Sequence, residues 1–315
     1  VSDLYLSYSG WKKYDGCAFA YWNSYIGHTE VDAPDDRLGS IYGSVIGKLF
    51  EDFYNEEWWK KNPRPVAMML GKVEGALDWT IRRETTPYRQ RKGGVLMWKG
   101  EGEGQNPKGM YANKEELAED LRESVGRGCR IIRHHRLLGP YAEAEVKLDY
   151  TVEGYRLGGR ADFIMERVKP HHDLCIIDGK GSKWRHKYVD PKQLLWYALL
   201  YRFHHGKLPD KIGFLFWRYE PNEAIDWVEF VEDDINDLLN RVLGDLRKIE
   251  EGTAKLISRA SFAEVRKVFR PVAEGRRKRD AEDACRFCPY GTPEICPKGA
   301  EVKAKLEQKN AQRRR

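Results

Sequence analysis

The chain has 315 residues and 41% hydrophobic content, enough for one large domain or two small ones, and no apolar run approaches the roughly 18–20 residues that span a bilayer. Its formal net charge of +6 is mildly basic, which permits an anionic partner without requiring one. Six cysteines in a chain whose opening, VSDLYLSYSG, has neither a basic nor an apolar signal region predict a cytoplasmic, reducing setting, where thiols more often bind metal than pair.

In chain order, SYSGWKKYDGCAFAYW (7–22) predicts a short helix capped by Ser7 or Ser9. Residues 36–61 predict a long helix, with Ile41, Val45, Leu49 and Phe53 recurring every four positions. Residues 62–112 read as less regular, with the Gly-rich, charged stretches RQRKGG and GEGEGQNPKG as loops. A helix with a glycine-containing break follows over 113–138. The pattern then alternates, predicting strands at 142–150, 155–166 and 173–182 as a meander. A helix over 190–206 has Pro at its first turn and Gly at its end. Two strands in 211–220 and 224–232 and a helix over 233–252 complete the pattern. The order predicts an α/β or α+β fold, a mixed central sheet flanked by helices. Residues 266–279 hold seven Lys or Arg and the chain ends in three Arg; a solvated face and an anion-binding face are equally open for these runs.

Three charged residues stand out in the strands. Asp162 and Asp178 lie on neighbouring apolar runs, and a carboxylate on a buried strand is costly unless paired or metal-bound. A divalent cation would relieve the repulsion of two such anions, and hard oxygen donors suit Mg²⁺ or Mn²⁺. Lys180, two residues after Asp178, shares its strand face, where an ammonium can orient water or stabilise charge on a phosphate oxygen. A plain salt bridge from Lys180 to either aspartate explains the same pattern. Gln193 and Tyr197, four residues apart, share a helix face that a short turn would return to the strand ends.

Taken together, G-x-x-Asp162, Asp178-x-Lys180 and Gln193-x-x-x-Tyr197 resemble the PD-(D/E)XK nuclease superfamily, specifically its RecB-like branch. The resemblance implies a restriction-endonuclease-like core in which Asp162, Asp178 and the Gly179 carbonyl bind metal, with Lys180, Gln193 and Tyr197 completing the catalytic set. Relatives carry a histidine ligand in the first long helix; here GSVIGKLFE (43–51) has Gly47 at that place, and Glu51, one turn on, is the candidate to supply an oxygen instead.

Cys285, Cys288 and Cys296 form a C-x₂-C-x₇-C run, a strong sign of a metal site that needs a fourth ligand; on spacing alone zinc serves as well as iron. The opening that contains Cys17 is similar to that of the iron–sulfur members of the same branch, among them the CRISPR spacer-acquisition nucleases and the AddAB nuclease subunit. This resemblance implies a [4Fe–4S] cluster on Cys17, Cys285, Cys288 and Cys296, joining a C-terminal cluster region to the N-terminal helix. Cys129 and Cys175 fall outside the pattern, and Cys175 is read as core. The expectation is a single nuclease domain over 1–315 with a helical insert at 62–140. It would be a metal-dependent DNA exonuclease working on single-stranded ends in recombination, repair, phage DNA processing or CRISPR adaptation. A catalytically impaired iron–sulfur DNA-binding scaffold and an RNA nuclease are the alternatives.

Overall fold

The structure, a computed structural model, describes residues 4–30, 38–86, 96, 98–99, 110–182, 184–185, 189–256, 260–272, 282, 284–286 and 288–312. The two Gly-rich loops read at 89–94 and 100–109, the basic stretch 273–279 and Arg313–Arg315 lie outside the described residues. The elements are β1 (Tyr5–Ser7), α1 (Tyr8–Gly16), α2 (Ala18–Tyr25), α3 (Leu38–Asn55), α4 (Trp58–Lys61), α5 (Pro65–Thr85), α6 (Lys114–His134), β2 (Ala142–Val152), β3 (Tyr155–Glu166) and β4 (Leu174–Lys180). They continue as α7 (Pro191–His205), β5 (Lys211–Phe216), β6 (Ile225–Val228), α8 (Glu232–Ala254), α9 (Phe262–Val268) and α10 (Pro297–Gln312). No helix among the described residues is long and apolar enough to cross a membrane.

Several elements differ from the sequence reading. The 7–22 segment is a strand and two helices, because Cys17 takes an extended backbone (φ −161°) that ends α1 and starts α2; Ser7 is the cap, accepting from the Gly10 N–H at 3.2 Å. The 36–61 helix stops at Asn55, and Glu57 in the left-handed region (φ 54°) opens the short α4. Residues 65–85, read as irregular, are a 21-residue helix with Pro in its first turn and a buried stripe of Met69, Val73 and Leu77. The helix over 114–134 runs through its glycines without a break. The helices α9 and α10 carried no sequence expectation; α9 starts at a Ser261–Glu264 capping box.

Contacts divide the chain into two compact units: residues 35–150 with 159–238, and residues 1–34 with 151–158 and 239–315. In the first, β3 and β4 pair antiparallel, β4 and β5 parallel, and β5 and β6 antiparallel, with β2 beside β3, which gives the expected mixed sheet. Ile41, Val45, Leu49 and Phe53 are all buried, as their spacing predicted, and form with α5 and α6 a core against Phe163, Met165, Ile177, Leu215 and Trp217 of the sheet. Ile164 and Ile176 alternate with these residues along their strands and are equally buried, facing the side where α7 packs on β4 and β5. In the second unit, β1 pairs parallel with the first residues of β3, and the Trp11 indole N–H donates to Asp245 of α8 at 3.1 Å. The β2–β3 turn places Glu153 and Gly154 both at positive φ (49° and 84°), as a type I′ hairpin requires.

Gly128 is where α6 meets the layer beneath it. Phe50 stacks on Trp217 with centroids 4.2 Å apart and rings 6° from parallel, and a Cβ on Gly128 would lie 2.4 Å from Phe50 Cζ. Gly128→Ala should therefore destabilise the protein by about 1–3 kcal/mol in chemical denaturation, despite the roughly 1 kcal/mol that alanine gains over glycine in a helix. An unchanged or raised midpoint would show that the stack yields freely.

Candidate active site

The β3–β4 register pairs Phe163 with Ile177; one step further along it, Asp162 stands opposite Asp178. The Asp162 Oδ2 accepts the Gly179 backbone N–H at 2.8 Å, which ties one carboxylate to the strand that bears the other. Asp178 is 2% exposed. The Lys180 ammonium forms an ion pair with Asp178 Oδ2 and donates to Gln193 Oε1 at 3.1 Å. Gln193 Nε2 in turn donates to Asp178 Oδ1 at 2.8 Å and to the Tyr197 hydroxyl at 3.2 Å. Thus the first two turns of α7 deliver Gln193 and Tyr197 to the end of β4, and Asp162, Asp178, Lys180, Gln193 and Tyr197 come together. The salt bridge that the sequence left open exists, inside a larger network rather than in place of it.

Electrostatics here are governed by burial. Desolvation holds the Asp162 carboxyl well above the ordinary carboxylate range, and the neighbouring Asp178 charge pushes the same way against the Gly179 N–H. Burial also raises Asp178, while Lys180 draws it back down. The Tyr197 phenol is raised by burial and then by the Asp178 charge, so it stays protonated. Asp178 Oδ2 accepts no hydrogen bond of regular geometry and is left with the ammonium ion pair. Two facing carboxylates, an oxygen short of hydrogen-bond donors and the Gly179 backbone between them make a hard-oxygen donor set that suits Mg²⁺ or Mn²⁺.

A cavity of about 450 Å³ opens beside these residues. Ser40, Gly43, Ser44 and Gly47 of α3 form one wall at helical spacing, and Asp162, Phe163, Gly179 and Trp217 form the floor. A Cβ at Gly47, where the resemblance led us to expect a histidine, would meet nothing within 4 Å. Glu51 reaches the same cavity but is paired with Lys48 at 3.3 Å. Among the described residues, no group of three or more His, Cys, Asp or Glu is close enough to hold a metal ion, so Glu51 is not drawn into a tight set with the two aspartates.

Sequence reasoning missed Glu145, Arg160 and Arg83, which also line the cavity. Glu145 sits at φ 55° in β2, and Asn55 of α3 holds its neighbour Ala144 by both backbone groups, donating to the carbonyl at 3.1 Å and accepting from the N–H at 2.9 Å. Arg160 pairs with Glu145 at 3.4 Å. Strict alternation in AEAEVKLDY hides this kink, since a left-handed residue in a strand leaves no mark when it is not glycine.

In the second unit, Cys17, Cys285, Cys288 and Cys296 line one cavity with Tyr290, Gly291 and Gly299. All four are free thiols, and Cys17 Sγ accepts the Val272 N–H at 3.5 Å. Burial pushes the Cys285 thiol up to about 12, with Cys288, Cys17 and Cys296 adding to it in that order. Gly299 is needed for the approach, because a Cβ there would lie 3.0 Å from Cys296 Sγ. Sulfur donors suit a thiophilic metal group, although among the described residues no three of these side chains stand close enough to hold a metal ion. Cys175 is buried in β4, as read, and Cys129 is half-buried.

The raised Asp162 carboxyl sets a pH dependence. The folded state keeps a proton that the unfolded chain releases above the ordinary carboxylate range, so a stability penalty is absent at acid pH and grows as pH rises toward the folded pKa. Asp162→Asn keeps an acceptor for Gly179 and removes the charge. In EDTA it should raise Tm at about pH 7–8 and lose most of that gain near about pH 4, where an aspartate in the unfolded chain is already about half protonated. Equal gains at both pH values would mean that charge is not the cause.

None of the curated proteins matches the chain. Among solved structures, it is similar to a candidate exonuclease from Eubacterium rectale at 17% identity, covering 78% of this chain and 79% of that one with a TM-score of 0.42. It is also similar to SSO0001, at 12% identity with coverage of 74% and 82% and a TM-score of 0.25. A third is protein VC1899 from Vibrio cholerae, at 13% identity with coverage of 67% and 47% and a TM-score of 0.23. The family assignment rests instead on the family model of the PD-(D/E)XK nuclease superfamily, which matches residues 5–297. With nearly its whole length matched, the chain belongs to the PD-(D/E)XK nuclease superfamily.

Proposed function

We propose that the protein is a divalent-metal-dependent deoxyribonuclease that hydrolyses phosphodiester bonds at DNA ends, single-stranded ends in particular, and that its second unit carries a [4Fe–4S] cluster. The observation that carries the nuclease reading is the network joining Asp178, Lys180, Gln193 and Tyr197 opposite Asp162. Asp162, Asp178 and the Gly179 carbonyl are the groups that would hold Mg²⁺ or Mn²⁺, with Glu51 as an outer carboxylate; the cation would supply Lewis acidity at the phosphate.

The chain's own residues have distinct tasks in this reading. Lys180, fixed between Asp178 and Gln193, offers its one remaining proton donor to the attacking water or a phosphate oxygen. Gln193 uses its carbonyl on Lys180 and its amide on Asp178 and Tyr197, so it sets the rotamers of three neighbours at once. Because the Tyr197 hydroxyl accepts from Gln193, its own proton is free to be donated. Gly47 favours one second reading, a DNA-binding scaffold with weakened catalysis, which would appear as DNA binding without cleavage.

The cluster reading is supported by four thiols from both ends of the chain around one cavity. Four cysteine sulfurs are the full ligand complement of a [4Fe–4S] centre, and a four-sulfur zinc site is the alternative that the same residues allow.

Two experiments test these readings. Lys180→Ala should reduce cleavage of end-labelled DNA in Mg²⁺ or Mn²⁺ by at least about a hundredfold, the scale of losing one positioned electrostatic group, while circular dichroism and iron content stay unchanged. Full cleavage in that variant would move the chemistry elsewhere. Protein purified without oxygen should be brown and contain iron and sulfide, and Cys17→Ala should lose both as completely as Cys288→Ala and melt at lower temperature. One equivalent of zinc with no iron would leave only a structural thiolate site.

A further inference from the structure

The helix α5 carries none of the site residues named above except Arg83, which brings it to the cavity beside Asp162 and Gly179. Its inward face is Met69, Val73, Leu77 and Glu84. Trp79 points away from that face and is 50% exposed, an unusual position for an indole, whose large apolar surface normally packs. Arg83, one turn further, places its guanidinium 4.8 Å from the Trp79 ring centroid. The same guanidinium donates from Nε and Nη2 to Glu84 Oε1 at 3.3 and 3.0 Å. Glu84 is only 6% exposed, so it anchors the guanidinium edge. Arg83 also lines the cavity that contains Asp162 and Gly179, and Lys48 and Arg160 contribute further cations to its walls. Lys48 is held by Glu51 and Asp52, and Arg160 by Glu145.

We propose that Trp79 and Arg83 form a strand-binding subsite, in which Arg83 contacts a phosphate at the edge of the cleavage cavity and Trp79 stacks on the base of an adjoining nucleotide. The proposal rests on the deoxyribonuclease reading and adds to it the residues that select an unpaired strand. A flat indole face accepts any base, but only a base that has left its own stack; in a duplex the bases are stacked on each other and out of reach. The guanidinium adds a plane of its own and a charge for the backbone. A cation–π pair that served only to stiffen α5 would have no preference between single strands and duplexes.

Fluorescence anisotropy of the full-length protein in EDTA, with fluorescein-labelled single-stranded DNA of about 12 nucleotides and the matching duplex, separates these roles. Trp79→Ala should weaken single-strand binding about tenfold and duplex binding by less than about twofold, and Trp79→Phe should retain most of the single-strand affinity. Arg83→Gln should weaken both and reduce the dependence of affinity on salt by about one phosphate contact. Single-strand binding by Trp79→Ala within about twofold of the parent, or equal losses on both DNAs, would overturn the subsite. The parent protein's cleavage of the same oligonucleotides in Mg²⁺ or Mn²⁺ is measured in parallel. A parent that binds but does not cut would sink the nuclease reading and leave the Trp79 comparison intact.

Discussion

Two carboxylates held face to face inside a β-sheet are the constraint on which the nuclease core depends. Antiparallel pairing of β3 and β4 fixes Asp162 opposite Asp178 by register alone, and a register shift of one residue would turn every alternate side chain to the wrong face. The sheet cannot relax this repulsion without giving up Ile164, Met165, Ile176 and Ile177, all buried on the same two strands. What it does instead is surround Asp178 with donors. Lys180 comes from the same strand, and Gln193 from the first turn of α7. A buried charge is tolerated when each neighbour has a place to go, and this network gives Lys180, Gln193 and Tyr197 one each.

The packing around the network keeps those positions. Gly179 must be glycine for a steric reason distinct from its carbonyl's role, since a Cβ would come 2.9 Å from Trp217 Nε1. Trp217 is itself clamped by Phe50, and Phe50 by the close approach of α6 at Gly128. The helices of the segment between the shared motifs therefore reach the site through three aromatic and glycine contacts. They are part of the core that holds the carboxylates, and the cavity wall at Arg83 comes from the same helices.

Which parts of this were legible in the sequence follows from the range of the forces involved. The stripe Ile41, Val45, Leu49 and Phe53 and the alternation in β3 record burial directly, so they could be read. The Asp178-x-Lys180 and Gln193-x-x-x-Tyr197 spacings follow from strand and helix periods of 2 and 3.6, so their convergence could be read as well. A helical insert was expected over 62–140 but the bounds of α5 were not, because Gly71 and Gly75 interrupt the pattern around Met69, Val73 and Leu77. The glycines of α6 suggested a break, yet Gly128 is a contact point whose meaning depends on Phe50, 78 positions earlier in the chain. Glu145 was out of reach for the same reason: Asn55 pins the strand beside it, and no local pattern announces that partner.

The two donor sets show how hard and soft ligands call for different scaffolds. The oxygen donors sit within a sheet, where backbone pairing sets their spacing before any ion is present, so an ion would find the carboxylates already opposed. The sulfur donors sit on separate pieces of backbone: Cys17 in the break between two helices, Cys285 on a helical residue, Cys288 outside helix and strand, and Cys296 just before α10. The Val272 N–H reaches Cys17, the backbone at Tyr290 and Gly291 reaches Cys288, and burial keeps Cys285 protonated without a metal. Regular structure can thus preorganise the carboxylate pair, whereas the thiol set is assembled from segments far apart in the chain. A metal group held by all four sulfurs would tie those segments together, and stability would then follow its loading more steeply than it follows a cation between carboxylates already opposed in the sheet.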